Sequence, residues 1–438
     1  MNIRMRSVIV AAFALFAMFF GAGNLILPVM IGVNGGAHAY IGAAGFVVTG
    51  AALTVAGMLA ASTQRPDEKR IADRIGPRFG LIFTCTLYLA IGMLYPTPRV
   101  AAVSFEIAIA PLTGSGQLAL FIYTLVFFAV CYVLVRRPSK VVGNIGGWLT
   151  PVLIFLLVVM VALSFTLPNA GHQENAAYAS SPFASGLIEG YFTMDSLATL
   201  MYGSVIMTAL AGAGLAGRQL RRGTAIASLI AGILLAACYF GLINVGAVGN
   251  GDNGAEVITG VAARLFGTAG QAFFGVMIIL ACMTTAIGLL ASGSRFWHEL
   301  IPSISAHTWL IVHLVVAVLI SNLGLKTILA VVAPICQLLY PVTICLIVVA
   351  LIETAVRSRR LVWAYRLPAW TAGALSILEA LNSTGVTLFE PLRQVLNVFP
   401  LGALQMAWVV PALMALGVGI VVDFRTMQPT RTALEAVK

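Results

Sequence analysis

The run Phe19-Phe20-Gly21-Ala22-Gly23-Asn24-Leu25-Ile26-Leu27-Pro28 sets two glycines, an asparagine and a proline inside an apolar stretch from Phe13 to Ile31. Within a helix Gly costs about 1 kcal/mol more than Ala and Pro about 3, so the run predicts a local unwinding. Unwound backbone in an apolar medium needs partners for its N–H and C=O groups. A half-helix ending near Phe20 exposes carbonyls, and one beginning near Leu25 exposes amides. An amino acid zwitterion fits such ends, its carboxylate on the N–H groups of Gly21, Ala22, Gly23 and Asn24, and a cation on carbonyls from Ala17 to Phe20. A Gly-rich helix crossing with a Pro kink is the packing alternative.

Further along the chain, Ala281-Cys282-Met283-Thr284-Thr285-Ala286 carries two adjacent hydroxyls in the middle of an apolar span. Thr284, Thr285 and the Ala281 carbonyl are the neutral oxygens a sodium ion prefers, although each hydroxyl can equally bond back to its own helix. Three ionisable residues fall at membrane depth, where such groups are costly and so are functional candidates. Arg99 follows the double proline of Tyr95-Pro96-Thr97-Pro98, Glu106 lies seven residues on and on about the same face, and Asp195 precedes Thr199-Leu200-Met201-Tyr202-Gly203-Ser204. An Arg99–Glu106 ion pair is one structural reading. Coupling or gating is the functional reading for Arg99, Glu106 and Asp195; for Asp195, ligating a cation, pairing with a substrate amine through water, and capping an unwound segment are equally open. Phe19, Phe20, Tyr95 and Tyr202 sit at similar depth and suit an apolar pocket wall.

Elements to position these residues follow from composition. The 438 residues are 60% hydrophobic and 9% charged, with mean hydropathy +1.00, which excludes an ordinary soluble domain. Twelve apolar stretches are long enough to span, at 8–32, 38–62, 81–106, 117–135, 148–167, 188–214, 223–248, 270–294, 307–323, 328–354, 367–381 and 400–422. The basic N-terminus and first apolar run resemble a signal peptide, but the run continues to Ile31 and reads as a retained helix. Of 25 basic residues, all except Arg99, Arg264, Lys326 and Arg393 fall on one side of this topology. The positive-inside rule then puts both termini in the cytoplasm. The net charge of +10 thus reflects topology, and nucleic acid is not an expected partner. All six cysteines lie in apolar stretches, where they read as packing residues.

The architecture expected is an all-α polytopic membrane protein with an inverted repeat: helices one to five over 1–167, an outer loop over 168–187, helices six to ten over 188–354, and helices eleven and twelve with a tail over 355–438. Because five is odd, the second block enters inverted, and a second break belongs at Thr199 to Ser204. Gly212-Ala213-Gly214-Leu215-Ala216-Gly217 matches a dinucleotide-binding pattern but ends a span instead of following a strand, and it reads as helix packing. His298-Glu299 lacks the second histidine of a zinc motif, since position 302 is Pro.

The first break resembles the start of the branched-chain amino acid:cation symporter family, within the amino acid-polyamine-organocation superfamily. Pro98-Arg99 with Ser104-Phe105-Glu106, the stretch Glu189 to Ala198, and Leu280 to Leu289 resemble it too. Met93, Thr97 and Val100 depart from its pattern. The resemblance implies a five-plus-five inverted repeat like that of the leucine transporters, with the amino acid at Gly21, Ala22, Gly23, Asn24, Tyr95, Thr199, Met201, Tyr202 and Gly203. It implies sodium at Ala17, Phe20, Ala281, Thr284 and Thr285. The expected function is cation-driven uptake of leucine, isoleucine and valine across the bacterial inner membrane, with sodium as coupling ion, no cofactor and no enzymatic turnover, as a monomer or homodimer. Proton coupling is the alternative, and an ion channel the more remote one.

Overall fold

The computed structural model describes residues 3–64, 68, 70–114, 116–137, 140–323, 325–356, 361–383 and 390–426. Both chain ends, and Arg65, Lys69, Arg357, Arg359, Arg360, Arg431 and Lys438 among the residues counted for topology, lie outside that set.

All regular structure among the described residues is helical. In chain order the main helices are α1 (Ile3–Phe19), α2 (Ala22–Asn34), α3 (Gly36–Ala61), α4 (Pro77–Thr113), α5 (Gln117–Val135), α6 (Val141–Ser164), α7 (Pro182–Tyr191), α8 (Asp195–Gly212), α9 (Gly217–Val248), α10 (Gly254–Phe266), α11 (Gly270–Leu300), α12 (Ala306–Ser321), α13 (Leu325–Val356), α14 (Trp363–Ser383), α15 (Glu390–Val398) and α16 (Val409–Thr426). Each of the twelve expected stretches overlaps a helix or a helix pair. Eight helices are long and apolar enough to cross a membrane, or up to ten when each bent pair counts as one span. The difference from twelve lies in α12, an apolar helix of only 16 residues, and α14, which carries Arg366, Pro368 and Glu379.

Large apolar side chains face outward: Leu118, Ile122 and Val126 on α5, Trp148 and Phe155 on α6, Leu229 and Ile233 on α9. Hydrocarbon, not water, makes such an exterior stable. The chain is a multi-pass membrane protein. Between helices the seams are lined by small residues. A Cβ on Gly186 of α7 would run into the Gly42 carbonyl of α3, one on Gly146 of α6 into the Val10 carbonyl of α1, and one on Gly246 of α9 into the Val29 carbonyl of α2. In lipid such close backbone approach drives helix association.

The chain forms two compact units. One gathers the chain up to Met58 and from Ile91 to Ile328, and contains both bent pairs and all of the candidate site residues. The other gathers Leu59–Ala90 and the chain from Leu329 onward.

Two local expectations are corrected. The Gly212–Gly217 run is not a packing seam: no atom lies within 4 Å of a Cβ built at Gly212, Gly214 or Gly217, and Gly214 and Gly217 have φ of 85° and 50°. They serve the tight turn from α8 to α9, which needs left-handed backbone. The second break is not at Thr199 to Ser204 either, because that segment lies inside the continuous helix α8. The break falls between Tyr191 and Asp195, where α7 and α8 meet at 47° and Met194 has φ 57° and ψ 20°. Gly203, within that segment, is buried in the helix.

Candidate functional site

The first break is sharper than the sequence suggests. α1 ends at Phe19 and α2 begins at Ala22, three residues before the expected Leu25, with 69° between them. Phe20 and Gly21 lie between the helices; Gly21 is extended, φ −91° and ψ −172°, and its N–H donates to the Phe19 carbonyl at 2.8 Å. A Cβ on Gly21 would lie 3.2 Å from Thr285 Oγ1, so glycine here also serves close approach to α11. Ala22, Gly23 and Asn24 supply first-turn amides with no acceptor in their own helix.

Four of the five oxygen-bearing residues expected to hold a cation converge beneath this break. Thr284 Oγ1 donates to the Ala17 carbonyl at 2.8 Å or the Ala281 carbonyl at 2.9 Å, and Thr285 Oγ1 donates to Ala281 O at 3.2 Å. Back-bonding of the threonines is therefore real, yet one hydroxyl also bridges to α1 across 267 residues of sequence. Ala17, Ala281 and Thr284 are fully buried and Thr285 is 9% exposed. The fifth, Phe20, stacks its ring between Phe16 at 5.2 Å and Tyr239 at 6.5 Å.

A polar network ties the first break to the second. Asn24 Nδ2 donates to Asp195 Oδ2 and, at 2.8 Å, to Tyr239 Oη. Asp195 is the first residue of α8, where a carboxylate suits the positive end of the helix. Asp195 thus sits at the break itself.

On α4, Pro96 starts a new helical segment after Tyr95, whose φ and ψ are −123° and −77°. The Thr97 hydroxyl takes the Gly92 carbonyl at 2.9 Å, an acceptor that Pro96, lacking an N–H, leaves unpaired. This geometry carries Arg99 to the first break: its Nη2 lies 3.9 Å from a Cβ built on Gly23, and its Nη1 donates to Tyr95 Oη at 3.1 Å over the tyrosine ring. Arg99 forms no ion pair among the described residues. The expected Arg99–Glu106 pairing is thus not made. The π-helical turn Phe105–Ile109 intervenes, and Glu106 is exposed while Arg99 is half-buried.

The remaining expected residues divide. Tyr202 meets Phe19 edge-on at 5.1 Å beside the first break, and Met201 packs on α4, its Cε 3.1 Å from a Cβ built on Gly92. Thr199 bonds to the Ser196 carbonyl at 2.6 Å and packs against Gly57 of α3, an interhelical contact. Gly203 is buried in the same helix. Tyr239 was not singled out from sequence. Nothing in its spacing marks it, and only the tertiary contact with Asn24 does.

The family model described as branched-chain amino acid transport protein matches residues 4–426. The chain is 36% identical to the branched-chain amino acid permease BrnQ of Corynebacterium glutamicum over 96% of both chains, and 35% identical to the permease BraB of Bacillus subtilis over 96% of both. With the branched-chain amino acid transport system 2 carrier protein of Pseudomonas aeruginosa it shares 34% identity over 94% of both chains. Among solved structures it resembles Mhp1, a nucleobase-cation-symport-1 family transporter captured closed with bromovinylhydantoin, at TM-score 0.58 and 16% identity over 94% of this chain and 91% of that one. At that identity the likeness concerns the fold.

Proposed function

The chain belongs to the family of branched-chain amino acid transport proteins, and on that footing we propose that it takes up leucine, isoleucine and valine across a bacterial inner membrane by sodium-coupled symport. Its relatives are permeases, not enzymes. The amino acid binds at the facing breaks α1/α2 and α7/α8, and access alternates around them as the helices that carry the breaks rock. α1–α6 and α7–α13 are read as the two halves of an inverted repeat.

The observation that carries the sodium assignment is the convergence of Ala17 O, Ala281 O, Thr284 Oγ1 and Thr285 Oγ1 next to Gly21. These are neutral oxygens, suited to a hard monovalent cation and unable to take up a proton near neutral pH. An ion there touches the backbone on one side of the break while the substrate occupies the other, so each favours the same arrangement of α1 and α2. A second reading, proton coupling, is favoured by one observation: the Asp195 carboxylate joins the two breaks through Asn24.

Proteoliposomes decide between them. With sodium imposed outside, labelled leucine accumulates against its gradient. Equal accumulation driven by a proton gradient in sodium-free buffer would overturn the sodium assignment.

A further inference from the structure

The site described so far has places for a cation and for an aliphatic side chain, but two opposite charges at the breaks have no role in either. Arg99 lies against Gly23 with one hydrogen bond, to Tyr95, and no carboxylate partner among the described residues. Asp195 lies against Asn24, the next residue along α2. Arg99 and Asp195 form no ion pair with each other. A guanidinium in an apolar span without an anion is under strong demand for one. A guanidinium and a carboxylate held apart, against adjacent residues of one helix start, match a molecule that carries both charges on one carbon.

We propose that Arg99 and Asp195 are the two poles that read the zwitterion of the substrate. Arg99, with the Gly23 and Asn24 amides, takes the α-carboxylate, and Asp195 takes the α-ammonium. Asn24 and Tyr239 are the positioning residues for Asp195, since Asn24 donates to both. Tyr95 does the same for Arg99 by accepting from one of its nitrogens and stacking beneath it. Arg is suited to the carboxylate pole because its planar fork offers two parallel donors. With both poles engaged, the α-carbon is fixed over the break and the side chain is directed away from the charges. Recognition of the α-amino acid backbone is thereby separated from recognition of the branched side chain.

This inference rests on the reading that an amino acid binds at the facing breaks, and the test separates the two. Binding to the purified full-length protein in sodium buffer is measured by displacement of labelled leucine with three ligands: leucine, leucinamide, which lacks the carboxylate charge, and 4-methylpentanoate, which lacks the ammonium. The unsubstituted protein prefers leucine over each analogue by about tenfold or more, as expected for charged hydrogen bonds. In Arg99→Gln the preference over leucinamide collapses towards one while that over 4-methylpentanoate persists. In Asp195→Asn the opposite happens. Arg99→Lys, which keeps the charge without the fork, retains part of the leucinamide preference and provides the measurement should Arg99→Gln fold poorly. A merely structural role would weaken all three ligands in proportion and leave both ratios unchanged. Unchanged ratios with leucine still bound by the unsubstituted protein overturn the assignment of the poles. Absence of leucine binding by the unsubstituted protein overturns the underlying reading instead.

Discussion

At the scale of single residues, Thr285 separates the two halves of the proposed site. Its hydroxyl bonds to the Ala281 carbonyl and stands 3.2 Å from where a Gly21 Cβ would lie, so it belongs to both the threonine pair and the break. Thr285→Ala removes one neutral oxygen from the cation set without touching Arg99 or Asp195. The expected outcome is a rise in the sodium concentration for half-maximal leucine uptake, by roughly fivefold or more if the hydroxyl contributes an ordinary hydrogen bond's worth, with little change in leucine affinity at saturating sodium. An unchanged sodium dependence would place the ion elsewhere. These residues were legible because their reasons are local: the cost of Gly and Pro in a helix, and two hydroxyls at mid-span. The Asn24–Asp195 contact was not, since it joins residues 171 apart. No property of either residue alone names its partner.

At the scale of helices, the two kinds of glycine in this chain lead to opposite predictions. Gly186 of α7 faces the Gly42 carbonyl of α3 with no room for a methyl group. Gly186→Ala should therefore destabilise by about 1–3 kcal/mol, the usual range for overpacking. Gly212, the last residue of α8, has open space around it, so Gly212→Ala should be neutral or stabilise by up to about 1 kcal/mol through helix propensity. Thermal unfolding of the solubilised protein checks both, and equal melting temperatures for the two variants would contradict the seam assignment. The same distinction explains the misplaced second break. The segment expected to break holds Gly203, which is buried within α8, whereas the actual break at Met194 contains no glycine. Better signals lay just before α8. Thr193 donates to the Gly190 carbonyl at 2.8 Å and closes α7, and Asp195 suits the start of α8. The positive φ at Met194 runs against the preference of a residue with a Cβ, so nothing in the residue type points to it.

At the scale of the whole molecule, the charge bias and the apolar stretches made the membrane architecture readable, since both are sums over many residues. The two compact units were not readable, because contacts far apart in sequence define them. The second unit has its own polar anchor. Arg74 Nε and Nη2 donate to Glu68 at 3.0–3.2 Å, Nη1 donates to Tyr365 Oη at 2.8 Å, and Glu353 lies 3.4 Å from the guanidinium while accepting from Tyr365 Oη at 3.0 Å. Burial by itself would lower the Arg74 pKa, but the hydrogen bonds to Glu68 and Tyr365 outweigh it and raise the pKa above its ordinary value. Arg74 is therefore charged at every physiological pH, and its neighbours must answer that charge. The Arg74 and Glu353 side chains are only 4% and 9% exposed, so removing one partner leaves an undercompensated buried charge. Glu353→Ala also strips the acceptor from the Leu361 amide, held at 3.0 Å. The variant should lose about 3–5 kcal/mol of stability, read as a lowered melting temperature. Tyr365→Phe, which removes one hydroxyl and keeps both charges, should lose about 1–2 kcal/mol. Arg74, Glu353 and Tyr365 belong to one unit while Gly21, Arg99, Asp195 and Thr285 belong to the other. At temperatures where the Glu353→Ala protein remains folded, its leucine affinity should consequently match that of the unsubstituted chain, and a tenfold loss of affinity there would show the anchor to be part of the binding equilibrium instead of a support for the fold.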